Sequence, residues 1–188
     1  MDGTTLVLLV LLGLGVIMVL WFVVMYNRLI KQKNEVENGW AQIDVQLKRR
    51  HDLVPNLVET VKGYAAHERQ TFEEVVNARS RATSAQGVGE QIEAEQQLSG
   101  ALGRLMLVVE QYPDLKASQN FLALQEELTS TENKIGFARQ FYNDTVMNYN
   151  TTRESFPSNI VSGMFSFKEG TLFELKDEQQ REVPKISF

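Results

Sequence analysis

The first part of the chain is uninterruptedly apolar, with no charged side chain from Thr4 to Asn27. An apolar helix of about 20 residues, rising 1.5 Å per residue, spans the hydrocarbon core of a bilayer. The run therefore predicts a membrane-spanning helix, and we assign residues 1–27 to a transmembrane anchor. Basic side chains follow it directly, at Arg28, Lys31 and Lys33.

A secretory signal peptide is the alternative for this segment. Such a peptide has a basic start, a shorter apolar core and small residues at its cleavage site. Here the only charges before the run are the amino terminus and Asp2, and the exit WFVVMYNRLIKQK is bulky and basic. We expect a retained anchor in the cell (inner) membrane. The one-sided Lys and Arg bias predicts a single-pass protein with its N-terminus outside and its C-terminal domain in the cytoplasm.

After the anchor, apolar residues recur at spacings of three and four, which is typical of amphipathic helices. Four such segments follow one another: Val36 to Leu47, Leu57 to Ala82, Ile92 to Val109, and Phe121 to Tyr149. No alternation of period two accompanies them. We therefore predict an all-α protein, in which the membrane helix precedes an antiparallel up-and-down bundle of four helices over residues 28–155. The first bundle helix is continuous with the membrane helix or close to it.

Pro55 falls between the first two segments and allows two interpretations. Proline lacks a backbone donor and disfavours helical angles at the preceding residue, which favours a turn or sharp kink near His51–Val54. The spacing of apolar residues nevertheless runs from Leu47 to Leu57 without slipping. A kinked continuous helix would preserve that phase, so it remains the alternative.

The last segment, residues 156–188, is rich in aromatic residues: Phe156, Phe165, Phe167 and Phe173. Exposed aromatic rings in such numbers mark a surface that is covered by something. We interpret the tail as packing on the bundle, and we keep a patch facing the membrane or a partner as the alternative. Val183 and Ile186 are expected to hold the terminus in place.

Charge and composition narrow the possible functions. The net charge of −5 argues against a nucleic-acid partner, and the lack of cysteine removes disulfides, thiolate catalysis and cysteine-ligated zinc. The two histidines, His51 and His67, lack a partner at metal-ligand spacing. No nucleophile elbow or phosphate loop occurs either. We therefore expect no enzymatic activity, no cofactor and no metal.

Charged clusters outside the membrane flank are read first as solvated surface. The basic run from Lys48 to His51 is interpreted as a helix end that complements its own dipole, with a phosphate or lipid-headgroup site as the alternative. The acidic residues are interpreted as a solvated outer face: Glu73, Glu74, Glu93, Glu95, Glu126 and Glu127.

Two longer stretches resemble the LemA family of bacterial membrane proteins. They are YNRLIKQKNEVENGWAQIDVQLKRRHDLVPNLVETVKGYAAHE and NYNTTRESFPSNIVSGMFSFKEGTLFEL. The DVQLKRRHDLVPNLV core and the FPSN element are its most specific parts. The resemblance implies a short external N-terminus, one membrane span and a cytoplasmic antiparallel helical bundle, and it favours a turn near Pro55. It implies no catalytic residues.

The resemblance also yields candidate interaction residues, either as a binding surface or as residues that fix a helix connection. In the core they are Asp44, Arg49, Arg50, Asp52, Pro55, Asn56 and Glu59, and in the tail they are Phe156, Pro157, Ser158, Asn159, Phe165 and Phe167. Family members are often associated with membrane proteases and envelope-stress components. We therefore expect a non-enzymatic, membrane-anchored adaptor or scaffold that acts with lipid and other membrane proteins, a membrane protease among them. The alternatives are a self-assembling homo-oligomer that coats or shapes the membrane, and an enzyme or metal-dependent protein.

Overall fold

The computed structural model describes residues 2–173, and over that range the chain is all-α. Its six helices are α1 (Gly3–Lys62), α2 (Arg69–Ser84), α3 (Val88–Val109), α4 (Pro113–Lys116), α5 (Gln119–Glu154) and α6 (Ser158–Met164). The predicted fold class, an apolar N-terminal helix followed by a helical bundle, is confirmed. The expectation for Val183 and Ile186, and the rest of the tail beyond Phe173, lie outside the described residues.

The helices form two compact units, and α1 and α5 contribute to both. Unit 1 contains residues 2–42 and Gln140–Leu172, and unit 2 contains Ile43–Arg139 and Phe173. These boundaries differ from the three segments assigned from sequence because they cut across the long helices rather than between them.

The first part of α1 is apolar and uncovered. The large hydrophobic side chains from Leu6 to Leu20 are 52–69% exposed. Within residues 2–173, α1 alone is long and apolar enough to cross a membrane. A bilayer removes such side chains from water, which is favourable by a free energy of about 25 cal/mol per Å² of apolar surface. This segment therefore has the length, composition and exposure of a membrane anchor.

In unit 1, α1 and α5 pack antiparallel at close range. Gln32 Nε2 donates a hydrogen bond of 2.9 Å to Thr152 Oγ1, while further along α1 Gly39 faces Tyr142. A Cβ atom at Gly39 would lie 3.3 Å from the Tyr142 Cα. Glycine lets the two helices approach closely here, because a larger side chain would require α5 to move away.

In unit 2, four helical segments surround a common apolar core. The core side chains come from the end of α1, from α2 and α3, and from the start of α5, with Leu115 of α4 closing one side. Helices α2 and α3 run antiparallel, since Glu74 pairs with Arg104 at 2.8 Å and Arg81 Nη1 donates to Gln97 Oε1 at 3.0 Å. This is the mutual burial of stripes that the three–four spacing predicts.

The prediction of a turn near Pro55 is wrong, because α1 continues through Pro55 to Lys62. The alternative of a continuous helix is the one that the structure has. The proline lies on the exposed side of the helix, while Val54 and Leu57 beside it are buried. The chain instead turns between Gly63 and Glu68, after the end of α1. This turn divides the predicted second segment, so that only its later part forms α2.

Candidate functional site

The candidate interaction residues between Asp44 and Glu59, which the family resemblance supplied, all lie on α1 in unit 2. Asp44, Asp52, Pro55, Asn56 and Glu59 are all exposed. At about 100° per residue, they fall within an arc of about 120° on one helix face. We call this surface, with the exposed Lys48 and Val45 among them, the outer face of α1.

Arg49 lies at the edge of that face, and Arg50 lies on the opposite side of the helix. Arg49 is exposed and forms an ion pair with Glu127 of α5. Arg50 is only 5% exposed and lies on the buried side, together with His51 at 6%. The interpretation of Lys48 to His51 as a solvated helix end is therefore wrong, because the helix continues beyond it and half of the cluster is buried. The same burial leaves no accessible four-residue basic site for phosphate.

A buried carboxylate, Glu95 of α3, receives both of these side chains. Arg50 Nη1 lies 3.3 Å from Glu95 Oε2, and His51 Nε2 lies 2.5 Å from Glu95 Oε1. Glu95 is itself 5% exposed, so its assignment to the solvated outer face was wrong. Removing two charges from water is costly unless they pair and their remaining donors are satisfied. Here one carboxylate accepts from two residues of α1, which joins α1 to α3.

Two further groups complete the cluster around Arg50. Arg50 Nη2 donates to Ser99 Oγ at 2.7 Å, and Nη1 lies 3.5 Å from Glu132 Oε2. The side chain of Glu132 is 48% exposed, so this pair is screened by solvent and weaker than the pair with Glu95. Among residues 2–173, Arg50 Nε has no hydrogen-bond partner. The cluster thus links α1, α3 and α5 through a single guanidinium.

Arg79 of α2 explains how α1 continues through Pro55. In a helix the N–H of residue 55 would donate to the carbonyl of His51, and proline has no N–H to give. Arg79 Nε donates to that carbonyl instead, at 2.7 Å. A buried carbonyl without a donor would cost about 1–3 kcal/mol. The side chain from α2 therefore replaces the backbone bond that proline removes.

Sequence reasoning missed four residues of this cluster: Arg79, Glu95, Ser99 and Glu132. One signal could have found Glu95, because it lies midway between Ile92 and Leu98 in the apolar stripe of α3. A charged residue inside such a stripe is buried and needs a partner. The same signal applies to Arg79, which lies between Val75 and Ala82, and to Glu132, which lies between Leu128 and Ile135, each at spacings of four and three. Ser99 is uncharged and gives no such signal.

The tail residues form a second cluster in unit 1. Phe165 and Phe167 pack on Tyr26, with ring centroids 4.7 and 5.9 Å away, and Phe165 also lies 6.0 Å from Phe22. Ser158 is buried with its Oγ 3.5 Å from Met25 Sδ, Pro157 is half-buried, and Asn159 is exposed. Phe156 is 80% exposed. In this unit, the aromatic tail covers the end of the membrane segment of α1 with part of its side chains.

The end of the described tail, residues 168–171, is held by α5. Tyr149 Oη donates to the Lys168 carbonyl and Tyr142 Oη to the Thr171 carbonyl, both at 2.7 Å, and Asn150 exchanges two hydrogen bonds of 2.9 Å with Gly170. Burial raises the pKa of both tyrosines, and the nearby Arg153 partly offsets this rise in the pKa of Tyr149. The neutral phenols thus act as donors that fix residues 168–171.

Within residues 2–173, no group of three or more His, Asp or Glu side chains is placed to hold a metal ion. The His51–Glu95 pair has the contact that orients a histidine base, but its two side chains are 8% and 6% exposed. What this buried arrangement does is to fix the positions of helices relative to each other within unit 2.

An exposed apolar anchor that continues into a bundle with a buried ion-pair cluster defines a membrane-associated helical-bundle protein. The chain belongs to the LemA family, whose family model matches residues 39–188. It is similar to Protein LemA of Metamycoplasma hominis, with 25% identity over 158 residues that cover 84% of this chain and 72% of that protein.

The chain is also similar to magnetosome proteins. Magnetosome protein MamQ 2 of Paramagnetospirillum magneticum is 25% identical over 177 residues, and Magnetosome protein MamQ of Magnetospirillum gryphiswaldense is 24% identical over the same length. Each match covers 80% of this chain but only 65% of the MamQ protein, so about a third of each MamQ chain has no counterpart in the match.

Proposed function

We propose that this protein is a membrane-anchored helical adaptor that binds another membrane protein through the outer face of α1. The observation that carries the proposal is the placement of Asp44, Asp52 and Asn56 on one exposed face of an unbroken helix. Among residues 2–173, neither Asp44 nor Asp52 has an ion-pair or hydrogen-bond partner for its side chain. Carboxylates held on a rigid helix without an internal partner are available to an external one.

The buried side of the same helix supports this role. The Arg50–Glu95 and His51–Glu95 contacts fix the rotation of α1 in unit 2, so the outer face is presented in a defined direction. Three acidic residues stand against Lys48 on this face, and the charge of Arg49 at its edge is already paired with Glu127. The face therefore has a negative balance, which favours a partner with a basic surface. The one-sided basic flank of the membrane segment favours a cytoplasmic position for this face, and a membrane protease belongs to the partner class that the family resemblance implies.

We propose a non-catalytic role on related grounds. The histidine and carboxylate that hydrogen-bond each other, His51 and Glu95, are closed off from solvent and hence from a substrate. Broad hydrolase assays and elemental analysis of the purified full chain test this directly. Turnover that survives purification to homogeneity would contradict it.

Site-specific crosslinking in native membranes tests the adaptor proposal. A photoreactive amino acid at Asp52 or Asn56 of the full chain should crosslink to a membrane protein, whereas the same probe at the exposed Glu73 of α2 should not. The Asp44→Lys/Asp52→Lys double variant should lose the partner, and Glu73→Lys should retain it. Equal crosslinking from both helices, or crosslinks to lipid alone, would refute the proposal.

A second candidate function, self-assembly, is favoured by the exposed side of α5 in unit 2. A shallow groove there is lined by Leu122, Gln125, Glu126, Thr129, Ser130, Asn133 and Lys134. Two copies packed antiparallel about an axis near Ser130 would place Glu126 of each copy opposite Lys134 of the other. Such self-complementarity is what a two-fold interface requires.

Charge reversal separates the two functions. Glu126→Lys should dissociate a homo-oligomer of the full chain in mild detergent, and the Glu126→Lys/Lys134→Glu variant should restore it, as measured by sedimentation. The crosslinks formed from Asp52 should not change. If the wild-type protein sediments as a monomer at all concentrations, self-assembly through α5 is excluded.

A further inference from the structure

Helix α6 lies at the end of the membrane segment. Ser158 Oγ is 3.5 Å from Met25 Sδ, and the ring of Phe165 lies against Phe22 and Tyr26. Phe22 to Tyr26 lie near the end of the uncharged run, which stops before Arg28. In a spanning helix these residues occupy the zone where hydrocarbon meets the lipid headgroups. Because α6 touches them, α6 lies in the same zone.

The exposed side of α6 and the turn before it carry three large apolar side chains. Ile160 and Met164, four residues apart on α6, are 50% and 67% exposed, and Phe156, in the turn that precedes α6, is 80% exposed. Val161 on the packed side is fully buried. No charged side chain occurs from Ser155 to Phe167, although charges flank this stretch at Glu154 and Lys168. Among residues 2–173, these three side chains thus form an exposed apolar stripe on an uncharged segment.

We propose that this stripe is a second membrane contact, inserted into the boundary between headgroups and acyl chains of the bilayer that α1 spans. The lipid is its occupant because the stripe continues the lipid-facing surface of the anchor at the same depth. Aliphatic and aromatic side chains without charges are those that interfacial elements bury. The inference depends on the membrane segment and is independent of the adaptor role.

This contact has a consequence for the anchor. A single spanning helix is free to rotate about its own axis in the bilayer. With α6 packed on one side of α1 and inserted beside it, that rotation is restricted. Unit 1 is thereby held at the membrane surface by two elements rather than one.

Labelling at single cysteines tests the contact in the full chain. The protein contains no cysteine, so each introduced residue is unique. We would place an environment-sensitive fluorophore at Phe156→Cys, Ile160→Cys or Met164→Cys, in vesicles of phosphatidylethanolamine and phosphatidylglycerol. A matched control is Met147→Cys, whose side chain on α5 is also 58% exposed.

The control lies beyond the membrane surface. Met147 falls between Tyr142 and Thr152, which face Gly39 and Gln32 of α1. These are at least seven residues past Met25, and hence at least about 10 Å further along the helix.

The expected result is blue-shifted emission at the three stripe positions, quenching by lipids with a spin label at the shallow end of the acyl chain, and loss of quenching by aqueous iodide. Met147→Cys should show the reverse. Iodide quenching at all four positions would overturn the proposal. So would shielding of the stripe from both quenchers, because that result indicates a protein partner or a second copy in place of lipid.

Discussion

Replacing Glu95 by Gln tests the buried cluster most directly. The substitution keeps the size of the side chain and leaves the Arg50 guanidinium, 5% exposed, without its buried counter-charge. Removing one partner of a buried ion pair costs about 3–5 kcal/mol. Arg50 still has Glu132 at 3.5 Å, but the Glu132 carboxylate is half-exposed to solvent and therefore replaces little of the lost interaction with Glu95. We therefore expect a loss of about 3 kcal/mol in the free energy of unfolding, at the lower end of that range.

Urea titration of the full chain in mild detergent measures this loss, with helical circular dichroism as the signal. For a chain of this size, about 3 kcal/mol corresponds to a fall of about 6–12 °C in the melting temperature. Glu93→Gln is the matched control on the same helix, since Glu93 is exposed, and should change stability by less than about 0.5 kcal/mol.

A double variant distinguishes pairing from packing. Arg50→Met/Glu95→Leu removes both charges and fills the space with apolar atoms, so it should recover most of the stability lost in Glu95→Gln. The reasoning is refuted if Glu95→Gln costs less than about 1 kcal/mol, or if the double variant is as unstable as the single one.

Three further outcomes are expected in the same titrations. Arg79→Ala should lower the free energy of unfolding of the wild type by about 1–3 kcal/mol. In a Pro55→Ala background, where the backbone N–H is restored, the same substitution should cost clearly less. Additive losses would contradict the hydrogen bond from Arg79 to the His51 carbonyl. Gly39→Leu should cost about 1–3 kcal/mol or more because two helices touch there, whereas Gly103→Leu, with open space around it, should be neutral or stabilising; equal effects would refute the close approach. Burial raises the pKa of Tyr142 above its ordinary value of 10.0, so its stabilising contribution is complete below pH 10.0 and is lost as pH rises through the folded-state pKa. Tyr142→Phe should therefore flatten the alkaline fall in stability, and an unchanged slope would show that the phenol is not involved.

Local features of the sequence were sufficient for the all-α class and for the apolar N-terminal helix. The uncharged run from Thr4 to Asn27 and the spacings of three and four gave the all-α class, because both depend on which side chains follow one another within a few turns. The tail was different in one respect: its phenylalanines were recognised, but helix α6 was not, since seven residues carry too short a pattern.

The cluster around Arg50 could not be read in the same way. A basic run is ordinarily solvated, and nothing near Lys48 to His51 indicates a carboxylate that lies 44 residues further along the chain. The exposure of Asp44 and Asp52 follows from the same packing, since burial of one side of α1 leaves the opposite side to solvent.

The sequence by itself thus determined the membrane segment, the helical stripes and the family. Only the tertiary structure decided that α1 runs through Pro55, that Glu95 is buried, and that the stripe of α6 lies at the end of the anchor. The physical reason is the range of the interactions. Helix periodicity and hydrophobic length are local, whereas the donor that replaces the proline N–H comes from Arg79, 28 residues away from the carbonyl that it satisfies.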